Sequence, residues 1–168
     1  KGVLEFIDLA TKMPDIQFVW AGNFAFKGIS EGRKEIMEHM DDLPDNVHFL
    51  GLVERDRMNE FFNMGDVMLQ LSFEELFPMT ILESMNANIP LLLRDLPEYK
   101  PILFDYYLKA NSQQTFKDEL TKLKEDADYY AKACEGSKRG EQFYSKESIL
   151  EQWQQFYDKV ATERNLLS

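Results

Sequence analysis

Cysteine is nearly absent. Cys134 stands alone, so no internal disulfide braces the chain and no paired-thiol metal site is available. A single thiol suits a reducing cytoplasm. Long apolar runs are missing too; no window approaches the roughly 18 uninterrupted apolar residues that a membrane-spanning helix needs. Positive charge is in deficit, with 19 Lys and Arg against 30 Asp and Glu and a formal charge of -11, which weighs against a nucleic-acid groove and against docking on anionic lipid. No Gly-x-Gly-x-x-Gly follows a strand pattern, which disfavours a dinucleotide-dependent oxidoreductase. No His-Glu-x-x-His, and no Asp-x-Asp suited to a metal-held diphosphate, is present, so no metal or other cofactor is expected. His39 and His48 read as a surface and a strand histidine.

What remains is ample for a globular fold. With 168 residues, 44% hydrophobic and 13% aromatic, residues 1–168 can bury a core as one domain without a staple. The opening "KGVLEFIDLATKMPD" has helical periodicity, with Val3, Leu4, Phe6, Ile7, Leu9 and Ala10 on one broad apolar face. No strand precedes it. In an alternating βαβ order a helix that comes first has lost the strand that feeds it, so the chain reads as a piece of a longer protein.

Continuous apolar runs then alternate with helical ones. "IQFVWAG", closed by Gly22, reads as a strand buried on both faces, and "NVHFLG", closed by Gly51, as another short strand, with a helix carrying Ile36, Met37 and Met40 between them. "RDRMNEFFNMG" is helical, "DVMLQLS" a strand, "FEELF" a turn, and a helix from about Pro78 to Asn88 leads to the strand "PLLLRD". Pro78 fits the first helical position, where its missing N–H is harmless. "YYLKANS" gives a short edge strand. Thr115 to about Cys134 is helical, "EGSKRGEQ" reads as a loop, and a Ser145-capped helix from Lys146 to about Asn165 repeats Ile149, Trp153, Phe156, Tyr157 and Val160 as a face to bury. Strands each reached through a helix describe an α/β fold, a Rossmann-like doubly wound parallel sheet with flanking helices.

In such sheets ligands bind beyond the carboxyl ends of the strands. The segment from Ser72 to Met79 occupies that place, and the N–H groups of Met79, Thr80 and Ile81 at a helix start suit an anion such as phosphate. At 100° per residue Thr80, Glu83 and Ser84 share one stripe, while Ile81, Leu82 and Met85 lie opposite. Glu83 therefore points away from the core, where a carboxylate can accept from two neighbouring hydroxyls of a ribose or sugar ring. Glu75, in the turn, would reach a second set of hydroxyls. A glutamate on a polar helix face is more often only solvated, and a chain this acidic shows a Glu pair eight apart about once or twice by chance. Among the basic residues Lys27, Arg33, Arg94 and Lys100, Arg94 is the best placed to face a cleft, because it ends a strand; a solvated charge is the commoner role for each.

The surrounding pattern resembles the donor-binding motif of retaining GT-B glycosyltransferases of family 4, with Ser72, Glu75, Phe77, Pro78, Glu83, Met85 and Pro90 in register. The motif's Gly, Ala and Gly are replaced by Leu76, Ser84 and Asn88. "KGVLEFIDLA", "FVWAG", "NVHFLGLV", "MNEFFNMGDVMLQLS" and "FYSKESILEQWQQFYDKV" are similar to the family's flanking segments. The resemblance implies the C-terminal half of a GT-B fold: a donor-binding lobe lacking its first strand and the N-terminal acceptor lobe. It implies that Glu83 holds the ribose hydroxyls of a nucleotide-sugar, taken as a UDP-sugar, that catalytic Glu75 holds the donor sugar, and that Lys1 neutralises the diphosphate, with the main chain at Met79 and Thr80 nearby. Gly22 and Val53 would border the base, and Glu98 would help shape the cleft.

Within the family, "EELFPMTILES" and "LLLRDLPEYKPILFDYYLKA" look most like enzymes of low-GC Gram-positive bacteria, including those that glucosylate diacylglycerol. The implied partners are a nucleotide-sugar and the missing lobe, with a glycan or lipid acceptor, no nucleic acid, and membrane contact only through that lobe, in the cytoplasm or at the inner face of the membrane. The isolated chain is then expected to be inactive. A non-catalytic, partner-binding Rossmann-like module stays open as the alternative.

Overall fold

The computed structural model describes residues 1–22, 42–77 and 79–165. The expected helix through Ile36, Met37 and Met40, together with Lys27, Arg33, His39 and Pro78, lies outside the described residues. The described elements are α1 (Val3–Thr11), β1 (Phe18–Ala21), β2 (Val47–Gly51), a 3-10 turn (Arg55–Arg57), α2 (Met58–Met64), β3 (Met68–Gln70), α3 (Met79–Met85), β4 (Leu91–Arg94), a second 3-10 turn (Pro97–Tyr99), α4 (Lys100–Leu103), β5 (Leu108–Ala110), α5 (Gln113–Glu125), α6 (Ala127–Tyr144) and α7 (Lys146–Asn165).

Among the described residues the pairing is parallel throughout, in two sheets: β1 with β2, and β3–β4–β5 in that order. All four β4 residues are buried, which is why their run is apolar without alternation. Leu92 faces a core built with Phe6, Leu9 and Ala10 of α1, Phe18, Val47, and Phe116 and Leu120 of α5. Leu91 and Leu93 face the opposite core, with Ile81 and Met85 of α3 and with Tyr99, Leu103 and Tyr107. Helices therefore cover both faces of β4, the doubly wound arrangement, and each fully buried Leu adds about 1.5–3 kcal/mol to the drive for folding.

Four local expectations change. The helix expected over Thr115–Cys134 is two helices, broken at Asp126, whose carboxylate accepts from Tyr129 N at 2.9 Å and so caps α6. "EGSKRGEQ" is the middle of α6, not a loop. Its glycines permit close packing: a Cβ on Gly136 would lie 3.1 Å from Tyr106 O, and one on Gly140 2.7 Å from Met85. Tertiary contact here overrides helix propensity, and buried Ser137 donates to Ile89 O at 2.5 Å. The aromatic face of α7 is not buried: Trp153, Phe156 and Tyr157 stay exposed, with Trp153 stacked on Tyr157. Finally, Ser84 lies on the buried side of α3, donating to Ile81 O at 2.8 Å, because a short helix packed between β4 and α6 buries more than half its circumference.

Candidate functional site

The chain leaves β3 through Leu71 and Ser72, both buried, into the turn that carries Glu75. Glu75 is buried although it sits in a loop, and its Oε1 accepts from Gln70 Nε2 at 2.7 Å, while the same amide reaches Ser72 Oγ at 3.1 Å. Lys1 Nζ donates to the same carboxylate oxygen and forms its ion pair. Two residues 74 positions apart, each singled out from the sequence, are thus brought into direct contact. Burial pushes the Glu75 carboxyl up, but Lys1, Ser72 and Gln70 outweigh it and hold the group below the ordinary carboxylate value. Glu75 is therefore an acceptor at neutral pH, able to receive hydroxyl donors and unsuited to giving a proton.

The approach of Lys1 depends on Gly2. This glycine has φ 77, and a Cβ on it would lie 2.7 Å from Leu71 O and 2.8 Å from Leu71 Cβ. Glycine alone allows α1 to begin flush against the end of β3. Gln113 Nε2 adds a bond from the α5 start to Glu5 O at 2.8 Å.

The other expected residues occupy strand and helix ends. Gly22 follows β1 with φ 141 and donates its N–H to Gly51 O at 2.7 Å, closing the β1–β2 ladder. Val53, half-buried, lies two residues beyond β2. Met79 and Thr80 open α3 and are exposed, and Glu83, half-buried, follows one turn later. The glycine-to-asparagine change at position 88 is explained by conformation: Asn88 holds φ 55, a left-handed geometry that asparagine tolerates better than most residues. Leu76 is 90% exposed, so its side chain is accommodated by projecting outward.

Arg94 differs from its expected role. It is buried, donates from Nε to Leu71 O at 3.1 Å and from Nη1 to Asn111 O at 3.4 Å, and pairs with Glu5. It braces the back of the turn and does not face a cleft as a free cation. Gln70 was not foreseen; a polar residue ending an apolar strand was its only signal. Tyr99 was not foreseen either. It is fully buried, its hydroxyl has no partner among the described residues, and burial, then Glu75 and Glu98, raise its pKa well above the usual value. Among the described residues no helix is long and apolar enough to cross a membrane.

Comparison with known proteins bears on family and fold. The chain is 37% identical over 161 residues, 96% of its length and 43% of the relative's, to the alpha-galactosylglucosyldiacylglycerol synthase of Streptococcus pneumoniae. It is 29% identical over 125 residues, 73% of its length and 37% of the relative's, to the processive diacylglycerol alpha-glucosyltransferase of Acholeplasma laidlawii. The chain thus spans less than half the length of these relatives. Among solved structures it shares its fold with Anabaena HepE in complex with UDP-glucose, at a TM-score of 0.77 and 18% identity over 96% of this chain and 45% of that one. Sucrose-phosphate synthase from Thermosynechococcus elongatus follows at 0.74 and 16%, over 97% and 43%. The fold is that of the C-terminal domain of GT-B glycosyltransferases. The family described as glycosyl transferases group 1 matches residues 1–140, and the chain belongs to it.

Proposed function

We propose that residues 1–168 form the donor-binding lobe of a hexosyltransferase that takes a sugar from a UDP-sugar and passes it, with retention, to a glycolipid acceptor. The lobe lacks its first strand and an N-terminal acceptor lobe, and the whole enzyme works without a metal on the cytoplasmic side of the membrane. The observation that carries the reading is the Lys1–Glu75 pair at the end of β3, with Gln70 and Ser72 behind it. A diphosphate competing for the Lys1 ammonium would leave Glu75 Oε1 free to accept from sugar hydroxyls while Gln70 keeps it aimed. Glu83 then takes the ribose hydroxyls, the N–H groups at Met79 and Thr80 lie near the diphosphate, and Gly22 and Val53 border the base. The relatives' names support a diacylglycerol-based acceptor, and the solved complex with UDP-glucose supports the donor.

Titrating the chain with UDP and then UDP-glucose, while following backbone amide shifts, tests this. Residues 72–84 and the segments after Gly22 and Gly51 should shift together, and Glu83→Gln should weaken binding by on the order of tenfold, the equivalent of about 1.4 kcal/mol. Absent or scattered shifts at millimolar UDP would refute the donor site. They would favour a partner-binding module, a second reading supported by the exposed Trp153, Phe156 and Tyr157 of α7. The chain alone is expected to transfer no sugar, and detectable transfer would overturn the two-lobe reading.

A further inference from the structure

Arg94 is the last residue of β4, yet its side chain turns inward. Its guanidinium donates to Leu71 O at 3.1 Å and to Asn111 O at 3.4 Å, and pairs with the Glu5 carboxylate in the first turn of α1. The guanidinium carbon stands 4.1 Å from the centroid of the Phe73 ring. One side chain therefore grips the segment leaving β3, the segment leaving β5, and the entry of α1. Two further contacts join the same pieces: Gly2 abuts Leu71, and Lys1 pairs with Glu75. The groups that hold the Glu75 carboxylate directly are Lys1, Ser72 and Gln70, with Arg94 not among them.

We propose that Arg94 is a positioning residue, which docks the α1 entry and the Ser72–Glu75 turn as one rigid unit and so sets the Lys1–Glu75 pair at the end of β3. The planar fork is the reason arginine is required: it reaches two carbonyls, a carboxylate and an aromatic face at once, in fixed directions. A lysine carries the same charge on a single nitrogen and cannot hold all of these partners. The position is therefore specified by shape as well as by charge. Because Arg94 lies behind the turn, its effect on any ligand passes through Glu75 and Lys1. The inference deepens the donor-site reading, but its decisive measurement needs no ligand.

The test is the titration of the Glu75 side-chain carboxyl, followed by carbon-13 NMR in the 168-residue chain and in Arg94→Lys, Arg94→Met and Glu5→Gln. The ionisable groups that bear on Glu75 are Lys1 from the α1 entry and Tyr99 from the turn after β4. In the unaltered chain Glu75 should titrate below the ordinary glutamate range. Both Arg94 variants should move it back up towards that range, as the Lys1 contact loosens, and Glu5→Gln should do so in part. A lysine variant that titrates like the unaltered chain would overturn the proposal, since charge alone would then suffice. A folded methionine variant with Glu75 unmoved would overturn it as well. If Arg94→Met fails to fold, Glu5→Gln decides, and an unmoved Glu75 there counts against the proposal. Failure of the unaltered chain to bind UDP would sink the donor-site reading and leave these titrations, and the positioning role, standing.

Discussion

Replacing Asn46 tests how α1 is anchored at the end opposite the site. Its side-chain Nδ2 donates to Ala10 O at 3.0 Å, Met13 O at 3.0 Å and Ile16 O at 2.8 Å, and the residue is only 5% exposed. Ala10 O and Met13 O also accept from the N–H groups of Met13 and Ile16, while Ile16 O takes its hydrogen bond from Asn46, so this amide ties the end of α1 to the turn that leads into β1. Two amide protons serve three acceptors, which amounts to about two full bonds at roughly 1 kcal/mol each, plus about 1 kcal/mol for a carbonyl left buried and unbonded. Asn46→Ala should therefore cost about 3 kcal/mol, or about 6–12 °C in Tm for a domain of this size. Urea midpoints and calorimetry read both. Asn46→Asp keeps the shape but sets an acceptor-only group against three carbonyl oxygens. Its folded-state pKa must rise above the unfolded value, so the defect is largest at neutral pH and eases as pH falls through the folded pKa, where the acid regains one donor. A cost below about 0.5 kcal/mol for Asn46→Ala, or an Asn46→Asp stability curve parallel to the original across pH, would refute the account.

Glu75 makes the opposite pH prediction. Its folded pKa is lowered, so its contribution is full above the unfolded pKa and is lost as pH falls through the folded one; the stability gap to Glu75→Gln, read from urea midpoints, should close in acid, and a gap independent of pH would contradict it. Tyr99→Phe removes a buried hydroxyl with no partner among the described residues, so stability should hold or rise by up to about 1 kcal/mol, whereas a loss of that size would show that the hydroxyl is bonded.

The sequence determined what depends on local order. Continuous apolar runs located the strands, but only β4 is buried along its whole length; β1 is half-buried at three of its four residues, and the Glu75 and Glu83 stretch lies, as expected, at a strand end and on the following helix. Asp126 had the chemistry of a cap, but only the break between α5 and α6 revealed its use. The glycines of "EGSKRGEQ" looked like a loop because propensity is blind to what packs against a helix; Tyr106 and Met85 make those positions need glycine. Ser84 was misplaced for the same reason, as helical periodicity assumes one buried face and α3 has more. Arg94 shows the limit most clearly. Its letter and place at a strand end are compatible with a cleft cation or a buried clasp, and the choice rests on Glu5, Leu71 and Asn111, which converge on it from elements up to 89 positions away in the chain. Composition and periodicity fix which residues are apolar and which elements form, because those depend on neighbours in sequence. Which polar side chain meets which partner depends on how distant segments close in space, and only the tertiary structure decided that.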